Sequence, residues 1–122
     1  MAAPNLVNVT SILGKSMGAA LGTNVNTTIL TCPSEKVLKI NSIIVANVDG
    51  TNSANATVKF YDDSASTPYT LAATVVVPAD STLIVIGKDS PIYLEESDTI
   101  RAGASASSDL EIVISYEELD DA

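Results

Sequence analysis

Between residues 75 and 116 the chain reads VVVPADSTLIVIGKDSPIYLEESDTIRAGASASSDLEIVISY, short runs of β-forming residues broken at close intervals by Pro, Asp, Ser and Gly. None of the breaks is long enough to hold a crossover helix. A parallel return needs a dozen or more residues, usually helical, so this spacing excludes a parallel α/β architecture and demands antiparallel pairing. The apolar content points the same way. It is 46% of the chain and consists of Val, Ile, Leu and Ala, with aromatics at only 4%. Val, Ile and Thr branch at Cβ, lose freedom in helices and pack well on a pleated surface. At 122 residues the chain fits one domain with a core of its own.

Alternation from Lys36 onward assigns faces. In VLKINSIIVANV the even positions Leu38, Ile40, Ile44, Ala46 and Val48 share one face, while Ile43 and Val45 make the far end apolar on both. Asp49-Gly50, with Thr51, Asn52 and Ser53, is a hairpin signal. NATVKFYD returns with Ala56, Val58 and Phe60 inward and Thr57, Lys59 and Tyr61 outward. A loop over residues 62–66 leads to PYTLAATVVV, which puts Tyr69, Leu71, Ala73, Val75 and Val77 on one face. After a turn at Pro78–Ser81, TLIVIG is apolar on both faces and is expected centrally or under a neighbour. IYLEE reads as a short edge strand, and TIRAGAS as a weak strand in which Gly103 signals a bulge or a close approach. DLEIVISYEE closes the domain with Leu110, Ile112, Ile114 and Tyr116 inward and Glu111, Ser115 and Glu117 outward. Six or seven strands at roughly ten-residue spacing predict an antiparallel β-sandwich, jelly-roll-like, as a single domain with an extended N-terminal segment.

The first 35 residues are of a different character. NLVNVT and NTTILT read as strands, and between them SILGKSMGAALG places Gly14, Gly18 and Gly22 at every fourth position. Each glycine would cost a helix about 0.5–1 kcal/mol, so the stretch is expected to be extended, with glycines at bends. Residues 1–24 are then either a first strand on the chain's own sheet or an arm that adds to a neighbouring subunit. Residues 25–118 form the sandwich and 119–122 an acidic tail. On the arm reading, the contacting side chains are Leu6, Val7, Val9, Ile12, Leu13, Met17 and Leu21.

Little in the chain suggests reaction chemistry. There is no histidine, hence no His-based triad, His metal ligand or imidazole acid–base pair. Neither the phosphate-cradling G-x-x-x-x-G-K-[ST] loop nor G-x-G-x-x-G occurs. Cys32, the single cysteine, excludes an internal disulfide and reads as a small buried hydrophobe. Two carboxylate groups, Asp62/Asp63 and Glu95/Glu96/Asp98, are the candidates for a two-acid hydrolase or a calcium site, but turns are also where acids are simply well solvated. Tyr61, Tyr69 and Tyr93 are candidates for a sugar-binding face. No catalytic residue, cofactor or metal ligand is assigned. The net charge of −9 argues against nucleic acid and anionic membrane as partners. No signal peptide and no apolar run long enough for a membrane-spanning helix is visible.

The opening MAAPNLVNVTSILGK, the segment KVLKINSIIVANVDGTN, and VPADSTLIVIGKDSPIYLEESDTIRAGASASSDLEIVISYEE resemble small virion structural proteins of tailed bacteriophages, particularly those infecting aquatic cyanobacteria. VPADSTLIVIGKDSPIYLEE is the most specific part of the match. The resemblance implies a late-expressed, non-enzymatic particle protein of β-sandwich or jelly-roll build. It supplies no reactive residue. With small size, acidity and two-faced apolar strands, it leads to an expected capsid decoration (cement) protein on the outer surface of the particle, assembled in the host cytoplasm. Its partners would be the major capsid protein or another virion protein, with a homo-oligomer, a trimer first, supplying the cover for the second apolar face. A neck, tail or fibre component and a carbohydrate-binding module are the alternatives.

Overall fold

The computed structural model of the chain describes residues 10–120. These form nine strands: β1 (Ser11–Ala20), β2 (Thr28–Thr31), β3 (Val37–Asn47), β4 (Ala54–Asp62), β5 (Thr67–Val77), β6 (Thr82–Ile86), β7 (Ile92–Leu94), β8 (Thr99–Ala104) and β9 (Leu110–Asp120). They build two antiparallel sheets, one ordered β1-β9-β3-β6 with β7 also on β3, the other β2-β8-β4-β5. The all-β sandwich expected from the sequence is the fold observed. Its pairings are nested: β1 with β9, β2 with β8, β3 with β7 and β6, and β4 with β5. The chain is in effect one long hairpin, with its tip at the β4–β5 turn, wrapped into two layers.

The layers face each other through unequal side chains. Ile40, Ile43, Val45, Ile112 and Ile114 of the first sheet meet Ala56, Val58, Ile100 and Ala102 of the second, all closed to solvent. On the second face small Ala56 and Ala102 are mixed with bulkier Val58 and Ile100, and such a mix of sizes lets facing layers interdigitate. The small residues of β8 have a further cause. Segment 22–27 runs beside β8, bonded through Ala104 N–H to Gly22 O (2.8 Å) and Ala102 N–H to Thr27 O (3.0 Å). Its backbone lies over Gly103, where a Cβ would sit 2.6 Å from Val25 Cα and 2.7 Å from Asn24 O. The close approach expected at Gly103 is therefore real, and TIRAGAS is a central strand.

Five expectations are corrected. In β3 the even-numbered face does not hold throughout. Leu38 and Ile40 point inward, but the register against β9 shifts between Ile40 and Ser42, and beyond it Ile43, Val45 and Asn47 are the buried set. An extra residue in one strand exchanges the faces of everything after it. Asp49–Ser53 is not a hairpin, because β3 and β4 belong to different sheets. Asn47 makes the crossover: its Nδ2 donates to Asn52 O and Val77 O (2.9 Å each), and its Oδ1 accepts the Asp49 N–H (2.9 Å). TLIVIG forms the edge strand β6 rather than a central one, with Ile84 67% exposed. SILGKSMGAA is a continuous strand laddered to β9 from Ser11 to Ala20, so Gly14 and Gly18 mark no bend. The strand β9 also carries Leu119 and Asp120, so the acidic tail expected from 119 begins inside the sheet.

Candidate functional site

The two acidic turns are structural. Asp98 is 3% exposed, and its carboxylate accepts the Asp63 N–H on Oδ1 (2.9 Å) and the Glu95 N–H on Oδ2 (3.0 Å). It ties the β4–β5 turn to the β7–β8 turn. Glu96 accepts the Ser34 hydroxyl (2.9 Å) and the Glu35 N–H (2.7 Å), which hold its carboxyl below the usual range. Glu35 and Ser97 both take left-handed backbone conformations in these turns, φ 63° and 72°. Asp98 and Glu96 thus serve as acceptors for turn N–H groups. Among the described residues no group of three or more His, Cys, Asp or Glu is placed to hold a metal ion.

Cys32 lies in the core, its Sγ donating to Lys36 O at 3.2 Å, and burial pushes its thiol up to about 11. The tyrosines do not converge on a sugar platform. Tyr61 is covered by the Arg101 guanidinium, 3.8 Å from its ring centroid, Tyr69 lies on the edge strand β5, and Tyr93 is in the opposite sheet across from Lys39.

Of the seven side chains expected at an N-terminal interface, Leu6, Val7 and Val9 lie outside the described residues. Ile12 and Leu13 are exposed on β1, and Met17 is packed against the core. Leu21 is 1% exposed, and its backbone is bonded to Leu110 and Ser108. Its side chain belongs to this chain's own core, so it is not an interface residue.

The surface that stands out is the outer face of the first sheet. The ladder aligns Ile84, Ile44, Val113 and Gly18 across β6, β3, β9 and β1. Ile84 is 67% and Val113 41% exposed. Their chain neighbours Ile43, Val45, Ile112 and Ile114 fill the core, so the row faces outward. Ser42, Ser115 and Ser16 form the row on one side, and Thr82, Ala46, Glu111 and Ala20 the row on the other. Gly18 at its end opens a shallow hollow with Ala19, Ala20, Glu111 and Ile112. On the same flank as β6, the edge strand β5 exposes Tyr69, Leu71, Val75 and Val76, and its TPYTLAATVVV carries no charge. This arrangement offers apolar area and strand edges that are unpaired among the described residues, which suit protein contact. The signal in sequence was the two-faced apolar run in β3 and β6. Which members lay outside was hidden by the β3 bulge. Comparison with known protein families and with curated proteins finds no match for this chain.

Proposed function

We propose that this chain is a structural, protein-binding module of a tailed-phage particle, most simply a capsid decoration protein that links neighbouring subunits on the outside of the head. The observation that carries the reading is the Ile84–Ile44–Val113 row, an apolar stripe on one sheet face, bordered by serines on one side and by Thr82, Ala46, Glu111 and Ala20 on the other. A −9 chain that leaves such a stripe open has a surface suited to a protein partner and unsuited to DNA. We read the nested strand order as a jelly roll, an architecture frequent in capsid and lectin domains. Trimerisation at a local threefold would multiply weak contacts into firm attachment. Particles lacking the protein, imaged beside complete ones, should lose discrete surface density from the head and become less stable. Heads with unchanged surface density would overturn the assignment. Copy number separates head from neck or tail: hundreds per particle for decoration, about a dozen for an axial component.

A further inference from the structure

The chain has 6 cationic side chains against 15 anionic ones, and most cations sit by acids. Lys15 and Lys36 pair with Glu118, Lys36 also with Asp120, Lys39 lies opposite Glu117, and Lys88 adjoins Asp89. Lys59 and Arg101 are different. They are directly opposed on β4 and β8, and their neighbours Val58, Ile100 and Ala102 point into the core, so both project from the outer face of the second sheet. Neither takes part in any ion pair of the described residues. Like charges directly opposite each other destabilise an antiparallel pair, so folding alone gives no reason for this placement.

The pair is also held in position. The Arg101 guanidinium lies over the Tyr61 ring, and its Nε is shut off from solvent with no hydrogen-bond partner. Stacking leaves the edge of the guanidinium fork available to an acceptor. Lys59 Nζ donates to Asn26 Oδ1 at 3.1 Å. The ladder extends the row at both ends to hydroxyls, Thr28 opposite Arg101 and Thr70 opposite Lys59. Thr28, Arg101, Lys59 and Thr70 therefore span all four strands on one face. Beside them the backbone of Asn24–Val25, lying over Gly103, raises a wall.

We infer that this row is a carboxylate-binding site that seats an Asp or Glu side chain of a protein partner. An arginine fork matches a carboxylate through two parallel hydrogen bonds, and the lysine beside it supplies a second charge. A localised anion suits the site better than an extended polyanion, which the −9 chain would repel beyond the pair. The carboxylate chemistry stands on the row itself. A polypeptide as its carrier rests on the structural role proposed above.

The test uses the free 122-residue chain labelled with ¹⁵N at low ionic strength. The probe is a blocked tetrapeptide with two adjacent glutamates. Its glutamine counterpart, inorganic phosphate and glucuronate are the other arms. The glutamate peptide should give saturable amide shifts confined to residues 26–28, 57–61, 70 and 99–103, phosphate and glucuronate weaker ones, and the glutamine peptide none. Arg101→Gln should weaken binding about tenfold or more, because the glutamine amide can replace at most one of the two charge-assisted hydrogen bonds and carries no charge. Lys59→Gln should do the same and keeps the test alive if Arg101→Gln fails to fold. Shifts spread equally over Lys39 and Lys88, affinity indifferent to both substitutions, or tighter binding of phosphate or glucuronate than of the peptide would each overturn the proposal. All are read on the isolated chain, so failure here is distinguishable from failure of the particle role, which is read on heads.

Discussion

Gly103 is the residue at which one missing side chain decides the most. A Cβ there would meet backbone atoms at 2.6–2.7 Å, and backbone cannot rotate away as a side chain can. Gly103→Ala should therefore lower stability by about 3 kcal/mol or more, as overpacking at a rigid site does. Gly14 has open space where its Cβ would stand, and Gly14→Ala should stay within about 0.5 kcal/mol of the parent in the same urea titration. Equal effects at the two positions would contradict this account of the segment over β8. Cys32 makes a second prediction. It is buried with its thiol raised from 9.0 to about 11 by desolvation, so the folded state holds the proton more tightly than the unfolded one. The contribution is complete below about pH 9 and is lost as pH rises from there through about 11. At neutral pH a disulfide reagent should modify the native chain no faster than it unfolds, and the urea-unfolded chain at once.

At the scale of elements, the sequence told which segments are strands better than where they go. Alternation and turn residues marked β3 to β9, because a strand half buried in a two-layer fold needs every second residue apolar. It put TLIVIG at the centre or under a neighbour, since two-faced apolarity was taken to mean burial, whereas the segment is an edge strand with Ile84 exposed. It also took Asp49-Gly50 for a hairpin. Turn chemistry fixes a reversal but not whether the chain re-pairs or changes layer; that depends on Asn47 reaching Val77 O on another strand. Asn47 is 3% exposed, so Asn47→Ala leaves the buried Val77 O without its donor and removes the part-buried bonds to Asn52 O and from the Asp49 N–H, and should cost about 2–3 kcal/mol in chemical denaturation. Two turn carboxylates also make the fold sensitive to acid. Asp49 is held below its ordinary value by the Thr51 and Asn52 N–H groups, and Glu96 by the Glu35 N–H and Ser34 hydroxyl. As pH falls the unfolded chain takes up these protons first. Stability from both is complete above about pH 5, beyond the ordinary carboxylate values, and is lost progressively below that. Asp49→Asn and Glu96→Gln should each be less stable than the parent at neutral pH and flatten the acid limb of a stability–pH profile. An unchanged slope in the double variant would show these bonds to be absent in solution.

For the whole molecule, the question is how a sandwich with a complete core of its own can still have apolar surface to offer. Ile43, Val45, Ile112 and Ile114 already fill the inner face of the first sheet, so Ile44, Ile84 and Val113 on the outer face add little to folding. That division lets binding and stability be separated by mutation, which a core residue never allows. Ile84 stands on an edge strand and is 67% exposed, so Ile84→Asp should change the unfolding free energy by no more than about 1 kcal/mol. Introducing a charge into a stripe that is desolvated on contact is costly, because the carboxylate loses water without gaining a partner. If the decoration role proposed above holds, the single variant should remain folded and yet fail to restore surface density when added to heads that lack the protein, with the parent restoring it. Ile84→Val, which keeps the stripe apolar, should behave as the parent. If Ile84→Asp decorates heads as fully as the parent does, the outer face of the first sheet is not the attachment surface. The uncharged edge strand β5, with Val75 and Val76 exposed, would then be the next apolar surface to test.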